Sequence, residues 1–182
     1  KNSDIIFICV GTPTKKKTQS VDLTFFFKAI KEILKITKGK KIIVTKSTVP
    51  VGTGDLAEKI LKRRKNLDII SNPEFLREGE AIRDFRYPDR IIIGSNNKKI
   101  FRIMRSLYQP LINKGAKFFT TKRRGAELIK YASNAFLATK ITFINELANL
   151  CEKTDINVED IALGIGSDAR IGSRFLRAGP AY

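Results

Sequence analysis

Ile5-Ile6-Phe7-Ile8-Cys9-Val10, followed at once by Gly11-Thr12-Pro13-Thr14, is the stretch on which the reading of the fold turns. A continuous β-branched run with no polar alternation is expected of a strand buried on both faces. The glycine and proline that follow end it in a turn. Downstream, Leu23, Phe26, Phe27, Ile30, Ile33 and Leu34 recur at spacings of three and four, the mark of an amphipathic helix. Ile42-Ile43-Val44 reads as the next strand, followed by a helix from about Asp55 to Lys65 with Thr53 as its N-cap. Leu67 to Ile70 makes a third strand and Ile91-Ile92-Ile93 a fourth; a helix follows from about Lys98 to Leu111, and Lys117-Phe118-Phe119 is a fifth strand. Strands separated by helices of this length imply βαβ units, a parallel sheet and right-handed crossovers.

Past Thr121 the pattern changes. No glycine or proline occurs from Ala126 to Leu163, and Leu128, Ala132, Phe136, Thr139, Phe143, Leu147 and Leu150 repeat with heptad-like spacing. This predicts one helix of about seven turns, ending near Lys153. Asn157 would cap a short second helix that stops around Gly164-Ile165-Gly166. A helix so long after an α/β unit suits a connector or a subunit interface, so a boundary is placed near Thr121, dividing the chain into 1–121 and 122–182. A dinucleotide-binding sheet ordinarily opens with a strand and Gly-x-Gly-x-x-Gly. Here Gly164-x-Gly166 is followed by Asp168-Ala169-Arg170 and comes after a helix, so it does not qualify. The expected fold is α/β: the second part of a Rossmann-like parallel sheet, a long connector helix, and the start of an all-helical central domain.

Composition narrows the function classes. The chain has 182 residues, 42% hydrophobic and 29% charged, enough for one domain and part of another. No apolar run approaches the roughly 20 residues of a membrane span, and Lys1-Asn2-Ser3 leads into a strand with no cleavage-site pattern, so neither membrane nor secretion is expected. Histidine is absent, and Cys9 and Cys151 form no Cys-x-x-Cys pair, which argues against zinc sites and His-dependent triads; no metal is expected. A reducing, cytoplasmic setting follows. The net charge of +17 invites thoughts of nucleic acid. Its lysines and arginines are scattered, as in Lys15-Lys16-Lys17, Lys62-Arg63-Arg64-Lys65 and Lys122-Arg123-Arg124, with no recognition helix or stacking aromatics. A solvated basic surface is the reading adopted, with no nucleic-acid partner.

Open parallel sheets bind ligands at the carboxyl ends of their strands. The segments there are Gly11-Thr12-Pro13-Thr14, Lys46-Ser47-Thr48-Val49-Pro50-Val51-Gly52, and Ser71-Asn72-Pro73-Glu74-Phe75-Leu76-Arg77-Glu78-Gly79. Proline-fixed turns with hydroxyls and glycine let backbone N–H groups approach a phosphate or ribose. They also simply end strands, but three on one edge favour a site. Glu74 and Glu78 are four apart and would share one side of a helical turn, either as acid/base groups or as an exposed acidic turn partnered by Arg77. Lys130 and Asn134 are four apart on the long helix, roughly opposite the Leu128–Ala132–Phe136 stripe. Water could solvate that face, yet it continues through Leu137, Ala138 and Ile141; a buried lysine beside an amide would suit a developing oxyanion.

At these residues the sequence resembles the UDP-glucose/GDP-mannose dehydrogenase family. The matching segments are Asp4 to Thr14, Lys46 to Thr53, Asn72 to Gly79, Pro88 to Gly94, Glu127 to Asn134, Asp168 to Gly172 and Phe175 to Tyr182, in the family's order. The resemblance implies oxidation of a sugar C6 alcohol to a carboxylate by two hydride transfers to NAD, with a cysteine thiohemiacetal and thioester between. It implies that Val10, Gly11, Thr12 and Pro13 contact NAD, with Thr48 near the nicotinamide and a catalytic water and Glu78 on the cofactor side. It implies that Glu74 acts in acid/base and thioester hydrolysis, and that Lys130 and Asn134 bind the C6 oxygen. Glu74, Phe75, Leu76, Glu78, Lys130, Asn134 and the strip Phe175, Leu176, Arg177, Ala178 and Gly179 would hold the nucleotide-sugar. Arg170 resembles an arginine that reaches the substrate diphosphate from a neighbouring subunit, and the long helix implies a homodimer. Val49-Pro50-Val51-Gly52 and Pro88-Asp89-Arg90 resemble the UDP-glucose branch rather than the GDP-mannose one. The family's Gly-Gly-x-Cys-Phe-Pro-Lys-Asp segment would begin after Tyr182, so these 182 residues alone are expected not to turn over. The competing expectation is a non-catalytic nucleotide-sugar-binding or oligomerisation module.

Overall fold

The computed structural model describes residues 3–62 and 66–180. The expected helix end at Lys65, part of the Lys62-Arg63-Arg64-Lys65 run, and Ala181-Tyr182 of the last matching segment lie outside the described residues. The chain forms two compact units, Lys1–Tyr131 and Ala132–Tyr182.

The first unit is built on a five-stranded sheet in sequence order: β1 (Ile5–Ile8), β2 (Lys41–Thr45), β3 (Leu67–Ser71), β4 (Arg90–Gly94) and β5 (Lys117–Thr121). Helix α1 (Thr24–Ile36) connects β1 to β2, and α2 (Thr53–Leu61) connects β2 to β3; both strand pairs are parallel. The expected parallel sheet is found in β1–β2–β3 and in β4–β5, while β4 meets β3 antiparallel at the one pair Ser71 and Gly94. The cause lies in the connection. The link, residues 72–89, first turns back along β4 as irregular backbone, with Asn72 Nδ2 donating to the Ile92 carbonyl, and only then forms the six-residue helix α3 (Ala81–Arg86). Too short for helical periodicity, α3 left no signal in the sequence.

Alternation sorts the strand residues to two faces. Ile8, Ile43 and Ile69 pack with Phe26, Ile30 and Ile33 of α1 and Ala57 and Leu61 of α2. Ile42, Val44, Ile70, Ile91 and Ile93 pack instead with Ile100, Met104 and Tyr108 of α4 (Lys98–Ile112). Strand β1 is less covered than its signal: among the described residues it pairs with β2, Phe7 is 40% exposed, and Cys9 is exposed rather than within a buried strand. Thr53 is likewise not the cap of α2 but its first helical residue, its hydroxyl donating to the Pro50 carbonyl at 2.7 Å. Gly52 holds the cap position with φ of 93°, a left-handed conformation that glycine adopts without strain.

One buried polar link steadies the end of β3. The Tyr108 hydroxyl donates to Asn72 Oδ1 at 2.5 Å, and Asn72 Nδ2 donates to the Ile92 carbonyl at 3.0 Å. Burial pushes the Tyr108 phenol up to about 12, so it stays a neutral donor at ordinary pH. Tyr108→Phe removes the donor and strands a buried amide oxygen. The expected loss is about 1–2 kcal/mol in denaturant unfolding, with an unchanged m-value.

Helix α5 (Arg123–Thr154) has 32 residues. It therefore starts earlier than the seven-turn expectation and runs for about nine turns. It accepts Gly125 because a Cβ there would overlap the Thr121 hydroxyl, so close packing replaces propensity. In the second unit, α6 (Val158–Gly166) is capped by Asn157, whose side chain accepts from the Glu159 amide at 2.9 Å. The segment after α6 is tied to α5: Lys140 Nζ donates to the Ile171 carbonyl at 3.0 Å, and Asn145 exchanges two hydrogen bonds with Gly179 at 2.9 and 2.8 Å. Leu128, Phe136, Phe143 and Leu150, the strongest members of the heptad-like stripe, are 52–65% exposed.

Candidate active site

Because β1, β2 and β3 run parallel, the three segments leaving them lie at one end of the sheet. Two of these segments are stitched together. Thr12 Oγ1 donates to the Thr48 carbonyl at 2.8 Å, and Ser47 Oγ donates to the Val10 carbonyl at 2.7 Å. The side-chain hydroxyls thus bind backbone across the loops, leaving Val10 and Thr12 half-buried and Gly11 and Pro13 exposed. A Cβ built on Gly11 would meet nothing within 4 Å, so space lies open above that turn.

The third segment carries the charged group. Glu74 Oε1 lies 3.0 Å from Lys130 Nζ, and Glu74 Oε2 accepts from the Leu76 amide at 2.7 Å. Lys130 is only 6% exposed. Burial pushes the Glu74 carboxyl up, but the Leu76 N–H, Lys130 and Lys46 together hold it below its usual range. Phe75 sits with the Arg90 guanidinium 4.1 Å from its ring centroid and Lys130 Nζ 5.3 Å from it. Glu78 does not share a helical turn with Glu74; the backbone from Asn72 to Arg77 is irregular, and Glu78 opens the exposed turn before α3. Arg77 is likewise not their partner, since its guanidinium binds Asp84 at 3.0 and 2.6 Å. Leu76 is exposed and Phe75 half-buried.

Lys46, at the end of β2, drew no assignment from the sequence. Its Nζ donates to the Pro73 carbonyl at 3.3 Å. Burial pushes its amine down to about 8, with Glu74 and Cys9 opposing and Lys130 reinforcing. The folded chain therefore gives up this proton before the unfolded chain does. Between about pH 8 and 10.5 the unfolded state binds more protons, so stability rises with pH across that window, and the penalty is whole below it. Lys46→Met is expected to stabilise the chain at pH 7 by about 1–2 kcal/mol, partial exposure trimming the full linkage value. The variant should also flatten the rise, as read from unfolding midpoints measured from pH 7 to pH 11.

Two buried residues of α5 were hidden in the sequence. Glu127 accepts from the Gly52 amide at 2.6 Å, the Gly54 amide at 2.9 Å and the Ser71 hydroxyl at 3.3 Å. Its carboxylate fills the start of α2, where a helix would otherwise offer bare N–H groups to an anion. Arg123, 1% exposed, binds Asp55, Glu58 and the Ile69 carbonyl. The solvated-surface reading of Lys122-Arg123-Arg124 therefore fails at its middle member. The signal available was the spacing of four between Arg123 and Glu127 at a helix start. A narrow crevice lined by Thr45, Ser47, Thr48, Val49, Ser71, Pro73, Glu127 and Lys130 joins the second and third segments to α5.

Asn134, Arg170 and Phe175–Gly179 fall in the second unit. Asn134 is half-buried. Arg170 is exposed and binds Asp168 through two guanidinium nitrogens at 3.1 and 2.6 Å. Phe175 has a φ of 65°, Leu176 is buried at 3% exposure, Ala178 is half-buried, and Arg177 and Gly179 are exposed. Among the described residues no helix is long and apolar enough to cross a membrane, and no cluster of three or more His, Cys, Asp or Glu could hold a metal.

The open space over Gly11, with the Thr12 hydroxyl and Thr48 backbone beside it, leaves room for part of a dinucleotide to lie against this turn. It does not fit a phosphate at α2, whose N-terminus Glu127 occupies. Residues 1–112 match the family model described as the NAD binding domain of the UDP-glucose/GDP-mannose dehydrogenase family, and residues 124–182 match that family's central domain. A UDP-glucose 6-dehydrogenase of Rhizobium meliloti (strain 1021) is 53% identical over 186 residues, covering 99% of this chain and 42% of the relative. TuaD of Bacillus subtilis (strain 168), also named UDP-glucose 6-dehydrogenase, is 50% identical over 184 residues, covering 99% and 39%. The solved UDP-glucose dehydrogenase from Pyrobaculum islandicum superimposes with a TM-score of 0.90 at 36% identity, over 97% of this chain and 42% of that one. The chain thus spans about two fifths of the length of the relatives it matches. It belongs to the UDP-glucose/GDP-mannose dehydrogenase family.

Proposed function

We propose that the protein to which this chain contributes oxidises the C6 alcohol of UDP-glucose to the carboxylate of UDP-glucuronate, consuming two NAD and one water. The observation that supports this best is the Glu74–Lys130 pair, 3.0 Å apart, at the carboxyl ends of the parallel strands. NAD, when bound, accepts the hydrides. Val10, Gly11, Thr12 and Pro13, with Glu78, would contact it, and Thr48 would lie near the nicotinamide and a catalytic water. The Lys130 ammonium, with Asn134, would bind the C6 oxygen and stabilise charge developing there; a buried donor is worth more than one in water. Glu74, held ionised, would take the proton from the alcohol and later from water. Phe75, Leu76 and Phe175, Leu176, Arg177, Ala178 and Gly179 would hold the nucleotide-sugar, with Arg170 on its diphosphate. In this reading residues 1–121 serve the cofactor and 122–182 begin the helical region. The exposed stripe on α5 would pair two copies, in a cytoplasmic setting.

The test is NADH formation by the protein carrying this chain. UDP-glucose should be turned over at least tenfold better, in kcat/KM, than GDP-mannose, a preference of the size that one site contact supplies. A GDP-mannose preference would replace the substrate assignment. Binding of UDP-glucose without NADH formation would leave a nucleotide-sugar-binding module.

A further inference from the structure

Arg90 opens β4, and the antiparallel meeting of β3 with β4 carries the segment after Ser71 along that strand. The Asn72 side chain reaches the Ile92 carbonyl, and further along Phe75 comes to rest under Arg90. The ring then lies near two cations: Arg90, whose guanidinium carbon is 4.1 Å from the centroid, and Lys130, whose Nζ is 5.3 Å from it and 3.0 Å from Glu74. Phe75 follows Glu74 in the chain, so the placement of the ring and of the carboxylate are one backbone problem. Arg90 also lines a space of about 600 Å³ together with Tyr87, Lys114, Lys117 and Phe119.

We propose that Arg90 is a positioning residue of the site proposed above, its guanidinium holding the Phe75 ring against Lys130 and so fixing the Glu74–Lys130 pair. The inference rests on that functional reading only for its effect on turnover; the placement of Phe75 can be read without it. A planar cation is required, because a guanidinium stacks on a ring face in a way an ammonium does not. Arg90 would thus act through Phe75 and touch neither substrate nor cofactor.

The experiment is a double-mutant cycle on the protein carrying this chain, made with Arg90→Gln, Phe75→Leu and the two combined. Each single change should lower kcat/KM about tenfold, the order of loss that misplaced catalytic groups bring. The double variant should lose little more than either alone, because the two residues act in series. Additive losses would overturn the proposal. The second readout needs no activity: in lysine-labelled protein the ε-methylene resonance of Lys130 should carry a ring-current displacement from Phe75. That displacement should collapse in Arg90→Gln and in Arg90→Lys, and persist in the control Lys114→Ala. A Lys130 resonance unmoved in both Arg90 variants would also overturn it, and Arg90→Lys keeps the test decisive should Arg90→Gln fold poorly. Absence of NADH formation by the unsubstituted protein would sink the functional reading, while the resonance arm would still decide the role of Arg90.

Discussion

Arg123→Met is expected to destabilise the first unit by about 2–3 kcal/mol, the order for losing charged hydrogen bonds while a buried carbonyl is left without its donor. The arginine is 1% exposed and binds Asp55 Oδ1 at 3.0 Å, Glu58 Oε2 at 2.9 Å and the Ile69 carbonyl at 3.0 Å. Methionine fills similar volume but donates nothing, so Glu58 loses the Arg123 guanidinium, Asp55 keeps only Arg124, and the Ile69 carbonyl in the middle of β3 loses its side-chain donor. Lysine should not rescue it, since three partners in different directions need a forked donor. Burial pushes the Asp55 carboxyl up, but Arg123 and Arg124 hold it below its usual range. Its contribution is therefore present above the ordinary value and lost as pH falls through the folded one. The acid limb of the stability profile should flatten in the variant, and Glu58→Met placed beside it should restore part of the loss. Denaturant titrations across that range measure both effects; an Arg123→Met midpoint within experimental error of the parent would discard the network as a stabilising element.

Lys130→Met carries the largest expected effect on turnover, a fall of about 10²–10³ in kcat for the protein carrying this chain. The ammonium is buried and its charge is met by Glu74. Removing it takes away the donor proposed for the C6 oxygen and also one of the groups that keep Glu74 ionised. The carboxyl should then titrate at higher pH, moving the acid limb of the rate profile upward. A loss confined to KM, with kcat and the pH profile intact, would assign Lys130 to binding alone.

Much of this was legible in the sequence, for physical reasons that differ by element. The buried runs at Ile42-Ile43-Val44 and Ile91-Ile92-Ile93 announced central strands because both their faces are covered. Ile5 to Val10 carries the same apolar signal, yet among the described residues its strand pairs with β2 alone, because apolar content does not reveal how many neighbours a strand has. The reversal between β3 and β4 was invisible because α3 is shorter than two helical turns. At the site, Glu74 and Lys130 stood out by spacing and context, and the structure brings them to 3.0 Å. Lys46, Arg123 and Glu127 did not stand out, because a charge in a basic run looks solvated until its partners, dozens of residues away, are known.

The carboxylate that α5 lends to the amides of Gly52 and Gly54 bears on where such a polypeptide can be divided. A cut just before Arg123 would look clean on a topology diagram, falling between a strand and a helix. It would nonetheless leave the start of α2 without its acceptor, and Asp55 and Glu58 without Arg123. Any excised cofactor-binding half, or any chimera joined at this point, needs the opening turns of the long helix as part of the same piece.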